Sequence, residues 1–306
     1  MEVGIVGLGR MGGNMAIRLI KGQHKVIGYD PKDETMEELE AAGGIRVRSL
    51  KELVTTLSCP RAVWLMVPAG EATESTLKSL LNYLEPGDIV IDGGNANFKD
   101  SIRRAHELDA NGIKFLDAGT SEGIWGLSQG YRLMIGGEEE AFKLLEPLFQ
   151  TLAPGPDRGY GRVGKAGTGH FVKMVHNDVE YGLMQAYAEG FEILDAKKEM
   201  ELDLAQISEL WRHGSVIRSW LLDLAAQTLG EDPDLSSIAG YVEDSGEGRW
   251  AVSEAISLNV PAPVITISLQ QRLRSRQEGP FSDKMLAALR QAFGGHSVRK
   301  MGDKTD

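Results

Sequence analysis

The chain has 306 residues, 42% hydrophobic and 25% charged. That is an ordinary globular composition, and the length suits two domains, since single cores stop growing near about 250–300 residues. Lys and Arg number 33 against 44 Asp and Glu, a formal charge of −11, so no nucleic acid and no anionic membrane is expected as a partner, both of which want a basic face.

The single cysteine, Cys59, excludes an internal disulfide framework and any multi-cysteine metal site. It fits a reducing compartment, and a cytoplasmic protein with no metal is expected. The N-terminus MEVGIVGLG has no basic region ahead of its apolar run and meets glycine too early for a signal peptide. No apolar stretch approaches the roughly 18 residues that a membrane helix needs.

In chain order, β-rich runs at Val3–Val6, Lys25–Tyr29, Ala62–Val67, Ile89–Ile91 and Lys114–Leu116 alternate with helical patterns near 10–22, 34–43, 70–83, 98–110 and 138–150. This rhythm predicts a parallel sheet with helices on both faces. A turn-rich junction follows near 154–167. Beyond it the pattern is helical, at about 167–197, 203–228, 247–258 and 282–292. The expected fold class is therefore an α/β doubly wound sheet followed by an all-α C-terminal domain, with the division at 1–165 and 166–306.

The segment VGIVGLGRMGGNM supplies G-x-G-x-x-G at Gly7, Gly9 and Gly12, directly after a strand and directly opening a helix. Glycines in this order serve a tight turn, close approach of backbone to a pyrophosphate, and close helix–strand packing, while the helix N-terminus offers N–H groups to phosphate. The loop from Gly7 through Leu8, Gly9, Arg10 and Met11 to Gly12 is the expected cofactor cradle. The next strand ends at Asp30, 18 residues past Gly12, where a carboxylate would accept hydrogen bonds from the adenosine ribose. The same charge would repel a 2′-phosphate, so NAD is expected over NADP, with Lys32 placed to offset part of that repulsion.

In open parallel sheets ligands sit beyond the carboxyl ends of the strands. There this chain has VPAG, DGGNANF and DAGTSEGIWG. Val67 and Pro68 are expected beside the cofactor, and Asn95 and Ser121 offer neutral hydrogen bonds to hydroxyls and carboxylates. Farther on, GHFVKMVHNDVEYG has helical spacing; at about 100° per residue Lys173, Asn177 and Glu180 fall within roughly 60° of one another, flanked by His176 and Tyr181. Large apolar residues occupy most other positions, so this polar face is expected to line a cleft.

Together the glycine loop, DGGN, TSEGIWG and FVKMVHN-x-x-EYG resemble the decarboxylating 6-phosphogluconate dehydrogenases of the β-hydroxyacid dehydrogenase superfamily, in their shorter, often NAD-preferring branch. The resemblance implies a Rossmann-type N-terminal domain, a helical C-terminal domain, and a site between them shared across the subunits of a homodimer or higher homo-oligomer. It implies that Lys173 is the base taking the proton of the substrate 3-hydroxyl and that Glu180 is the acid protonating C1 of the enediol. Asn95, Ser121, Gly123, His176 and Asn177 match positions that orient substrate, and Tyr181, Arg272, Arg290 and His296 match its phosphate contacts, the last two reaching in from a neighbouring subunit.

Three departures stand out. Ser121-Glu122-Gly123 replaces S-G-G, placing a carboxylate near that of the substrate. Ser245-Gly246-Glu247-Gly248-Arg249-Trp250 replaces K-G-T-G-x-W, losing a phosphate-binding lysine and a threonine, and leaves open whether Arg249 compensates. Asp30 replaces the Asn-Arg-Thr pattern of NADP-dependent members. Two other readings compete: a non-decarboxylating β-hydroxyacid dehydrogenase of the 3-hydroxyisobutyrate or glyoxylate-reductase type, lacking an equivalent of Glu180 and the phosphate set, and a non-catalytic NAD-sensing protein.

Overall fold

The computed structural model describes residues 1–121, 123, 125–294, 297 and 298. The chain divides into two compact units, Met1–Asp178 and Val179–Asp306. The first is built on β1 (Glu2–Val6), β2 (Lys25–Tyr29), β3 (Ile45–Arg46), β4 (Ala62–Leu65), β5 (Ile89–Asp92), β6 (Lys114–Ser121), β7 (Arg132–Gly137) and β8 (Tyr160–Gly164). These form one sheet in the order β3-β2-β1-β4-β5-β6-β7-β8, parallel throughout except between β6 and β7. The connections are α1 (Arg10–Lys21), α2 (Asp33–Ala41), α3 (Leu50–Thr56), α4 (Glu71–Leu80), α5 (Phe98–Asp109), α6 (Gly126–Gln129) and α7 (Glu139–Leu152), and α8 (Thr168–Ala196) follows β8.

The central strands AVWL (β4) and IVID (β5) are buried at every position, as a strand covered on both faces must be. On one face Met15, Ala16 and Leu19 of α1 and Leu145, Leu148 and Phe149 of α7 pack on Val3, Ile5, Trp64 and Ile91. On the other, Leu53 and Val54 of α3, Leu77 and Leu80 of α4 and Leu108 of α5 pack on Val6, Val63, Leu65 and Val90. Each of the larger aliphatic and aromatic side chains contributes about 1.5–3 kcal/mol by leaving water. The strand order departs in opposite directions from β1 and β4, so the loops after these two strands splay apart and open a crevice at their carboxyl ends.

Three strands escape the sequence pattern. The junction near 154–167 contains β8, whose YGRVG sequence reads as a turn but pairs in parallel with β7. β7 itself adds to β6 in antiparallel register, and β3 is only two residues long. Helix α3 is also new: Ser49 caps it by accepting from Glu52 N at 3.1 Å, while the Glu52 carboxylate accepts from Arg48 N at 2.7 Å.

The second unit holds the rest of α8, then α9 (Leu204–Arg212), α10 (Trp220–Glu231), α11 (Glu247–Ser257), α12 (Pro263–Arg274) and α13 (Phe281–Gly294), with no strand among its described residues. The single helix expected over 203–228 is two. Gly214, at φ +84°, breaks it, and Ser219 restarts it by accepting from Leu222 N. No helix among the described residues is long and apolar enough to cross a membrane.

Candidate active site

The crevice between the β1 and β4 loops is a groove of about 780 Å³. Every residue expected to hold the cofactor lines it except Leu8, whose side chain is buried in the core and whose N–H donates to Asp30 Oδ2 at 2.7 Å. Gly7 has φ +92°, and a Cβ on Gly12 would lie 2.0 Å from Gly7 O, so α1 could not approach the loop with any side chain there. Above Gly9 a Cβ would meet nothing within 4 Å; the space over the loop is open. The first turn of α1 carries no acidic residue and no side-chain cap, which leaves its N–H groups and the positive end of the helix facing the groove. Asp30 also accepts from Lys32 N at 2.9 Å, so its carboxylate is fixed at the groove's edge with lone pairs to spare. These residues fit a dinucleotide: N–H groups for its pyrophosphate, a carboxylate for a ribose.

Two buried carboxylates organise the loops beyond β5 and β6. Asp92, at the end of β5, pairs with Arg104 Nη1 at 2.8 Å and accepts from Gly94 N at 3.1 Å, and Arg104 reaches on to Glu74 at 2.7 Å. Both Asp92 and Arg104 are almost fully buried; removing Arg104 would strand the Asp92 carboxylate at a cost of about 3–5 kcal/mol, whereas Arg104 without Asp92 would keep Glu74. Burial pushes Glu74 up, but hydrogen bonds from Arg103 and Arg104 outweigh it and hold the carboxyl below the usual range.

The second carboxylate, Asp117 on β6, accepts from Gly167 N at 2.6 Å and His170 N at 2.8 Å, closing the first turn of α8. Burial pushes its carboxyl above the usual range; His170 and the two N–H donors pull it back, and Asp92 on the adjacent strand adds to the rise. His170 is itself buried, with Nδ1 2.7 Å from Ser101 Oγ.

Asn95 sits at φ +49°, and its amide clamps the neighbouring strand: Nδ2 donates to Thr120 O at 3.1 Å and Oδ1 accepts from Thr120 N at 3.0 Å. One N–H and part of the oxygen remain for a ligand. Ser121, half-buried, ends β6, and Gly123 is exposed with open space beside it; Glu122 lies outside the described residues.

Helix α8 runs unbroken through Lys173, His176, Asn177, Glu180 and Tyr181. Lys173 is only 6% exposed although it is a lysine, and its Nζ donates to Asn177 Oδ1 at 2.5 Å. His176 Nδ1 stands 3.4 Å from the same oxygen, and its ring is exposed. Glu180 is half-buried.

In the second unit Arg272 lies over the Tyr181 ring, 3.5 Å from its centroid, and donates from Nη1 to Glu243 O at 3.0 Å. The Tyr181 hydroxyl is 3.3 Å from Ser245 Oγ, which donates to the largely buried Glu247. A guanidinium stacked in this way is chemically suited to an anion, while the Ser245 proton is already spent on Glu247. Arg249 is exposed and donates to Asp244 Oδ2 at 2.7 Å. Burial pushes Asp244 up, but that bond and the N–H of Gly246 hold it below its usual range. Arg290 is exposed on α13, and His296 lies outside the described residues.

Sequence reasoning singled out none of Asp92, Arg104, Asp117, Ser245 or Glu247 as a site residue. The one available signal was a carboxylate inside otherwise apolar strand runs, IVID and KFLDAG, where burial demands a partner.

The sequence pattern of the NAD binding domain of 6-phosphogluconate dehydrogenase matches residues 2–164, and that of the same enzyme's C-terminal domain matches residues 169–292. The chain belongs to the 6-phosphogluconate dehydrogenase family. Within the family it is 42% identical to the Bacillus subtilis protein YqeC, over 98% of this chain and 100% of that one. It is also 42% identical to the NAD(+)-dependent, decarboxylating 6-phosphogluconate dehydrogenase of Haloferax volcanii, over 99% of this chain and 100% of the relative. Among solved structures, the Plasmodium falciparum 6-phosphogluconate dehydrogenase, described with NADP+ and with 6-phosphogluconate, superposes with a TM-score of 0.83 at 25% identity. That match covers 99% of this chain but 67% of the longer Plasmodium one. The groove over the glycine loop is accordingly a nicotinamide-dinucleotide site.

Proposed function

We propose that this chain oxidatively decarboxylates 6-phosphogluconate to ribulose 5-phosphate and carbon dioxide with NAD. The observation that carries the reading is Lys173: a lysine almost wholly withdrawn from water on α8, with its amine held by Asn177. Exposed lysines are the rule, and one buried on a polar helix face in this family has a chemical task.

The bound nicotinamide supplies the hydride acceptor for C3 of the sugar acid. Lys173 takes the proton of the 3-hydroxyl as that carbon is oxidised, and Asn177 keeps the amine aimed. The resulting β-keto acid loses carbon dioxide, and Glu180 returns a proton to C1 of the enediol. Asn95, Ser121, Gly123 and His176 orient the carboxylate and hydroxyls. Tyr181 and Arg272 take the phosphate, with Arg290 and His296 completing the site of a second copy in a homodimer or larger assembly. Glycine-loop N–H groups hold the pyrophosphate, and Asp30 selects NAD over NADP because a 2′-phosphate beside a fixed carboxylate is repelled. The functional division at 1–165 and 166–306 and a reducing, cytoplasmic setting belong to the same proposal.

The test is stoichiometry. Purified protein given 6-phosphogluconate and NAD should release NADH and carbon dioxide one to one; NADH without carbon dioxide would refute the decarboxylating assignment, and turnover faster with NADP would refute the role of Asp30.

A further inference from the structure

The inward face of β6 reads Asp117, Gly119, Ser121, because alternate residues of a strand share a side. α8 lies across this face at very short range. A Cβ on Gly119 would fall 2.4 Å from Lys173 Cβ and 2.6 Å from Gly169 O, and a Cβ on Gly169 would fall 2.3 Å from Asp117 O. The stem of Lys173 therefore rests directly on the strand backbone, with no side chain between. Two residues earlier on the same face, Asp117 grips Gly167 N and His170 N, one from each side of the helix start. A helix pinned at its first turn, with its backbone against the strand there at Gly169 and the Lys173 stem against the strand one turn later, is held against sliding along its axis and rolling about it. Lys173, a single turn past the pin, inherits that constraint.

We propose that Asp117 and Gly119 are positioning residues for Lys173: the carboxylate fixes α8 along its axis, the glycine fixes how near the lysine stem comes to β6, and together they set where the amine stands. The proposal rests on the reading of Lys173 as the base. Nothing in it needs Asp117 to touch substrate or cofactor. Its effect is transmitted through main-chain geometry, and a displacement on the order of 1 Å at a reacting group costs about 100-fold in rate.

The test uses Asp117→Asn, which keeps the shape but turns one acceptor into a donor facing an N–H, and Gly119→Ala, which leaves the two hydrogen bonds alone and displaces the lysine stem. Both variants should lose about 10- to 100-fold in kcat. KM for 6-phosphogluconate and Kd for NAD, measured by titration without turnover, should stay within about threefold. Deuterium at C3 of the substrate should slow both variants more than it slows wild type, because the chemical step becomes limiting. Amide hydrogen exchange over residues 167–171 should quicken in Asp117→Asn and not in Gly119→Ala.

Unchanged kcat in either variant overturns the proposal, and so does NAD affinity falling in step with kcat, which would mark general damage to the sheet. If Asp117→Asn does not fold, Gly119→Ala decides alone. Lys173→Met, measured alongside, separates the two levels: full turnover there refutes the base itself, whereas an inactive Lys173→Met beside two fully active β6 variants refutes only the positioning role.

Discussion

Among the described residues of the sheet unit the most exposed large apolar side chain is Leu144, at 47%, whereas in the helical unit Val216 is 99% exposed and Ile193, Ile256 and Phe281 all exceed 70%. A parallel sheet closes its own core, because crossover helices cover both faces. The helices of the second unit leave these apolar side chains without a counterpart in the same unit, and large exposed apolar surface marks an interaction face. The difference is one of labour: the sheet unit carries the dinucleotide groove by itself, while the exposed apolar side chains of the helical unit are what the proposed function assigns to a second copy.

The largest effects are expected from the chemistry assigned to α8, which gives Lys173 to the sheet unit and Glu180 to the helical one. Lys173→Met should cut kcat by about 100- to 10,000-fold, the range of a general base, with NAD affinity and oligomeric state unchanged in titration and sedimentation. Glu180→Gln should fall within the same range, with the loss read as failure to release ribulose 5-phosphate. A smaller effect is expected from the helical unit's anion site: Arg272→Ala should raise KM for 6-phosphogluconate by about 10- to 100-fold, the worth of a charge-assisted hydrogen bond, leaving KM for NAD alone.

Cofactor choice and assembly sharpen the contrast further. Asp30→Ser should improve kcat/KM for NADP relative to NAD by about tenfold or more, since it removes a like charge from the ribose site. Phe281→Asp with Leu286→Asp, two exposed positions on α13, should weaken self-association by about tenfold or more in sedimentation, and activity should fall with it if Arg290 serves a neighbouring copy. Wild-type assembly in that double variant would mean that another face of the helical unit is the one covered.

The smallest effect concerns acid stability of the sheet unit. Glu74 has its carboxyl held below the usual 4.5 in the folded chain. Its stabilising contribution is therefore present above that value and is lost as pH falls through the depressed folded one. Thermal unfolding followed downward from pH 6 should show an acid limb that is flatter in Glu74→Gln than in wild type.

What could be read from the sequence was local. The strand–glycine loop–helix order and the spacing to Asp30 located the groove, because each glycine there answers a backbone requirement within a few residues of itself. The polar face of α8 was legible by periodicity. Partnerships across the fold were not. Asp117 meets its two N–H donors some 50 residues later, and Arg104 looks like its surface neighbour Arg103 until the fold turns it onto Asp92. The β8 segment escaped because its glycines imitate a turn and only pairing with β7 makes it a strand. Asn95 was legible as polar and close to the site, yet its clamp on Thr120 depends on two loops that only the sheet brings side by side.

The acidic side chain buried under the start of α8 also bears on where negative ligands can settle. A helix of 29 residues carries a substantial positive pole. Here Asp117 already accepts from the N–H groups of Gly167 and His170, so on the proposed chemistry a sugar acid with a phosphate at one end and a carboxylate at the other finds no foothold there. The pole of α1 is left bare. On the proposed chemistry, a chain with eleven excess negative charges thus sorts its two anionic ligands by the kind of attraction on offer: main-chain dipoles for the dinucleotide, guanidinium groups for the sugar.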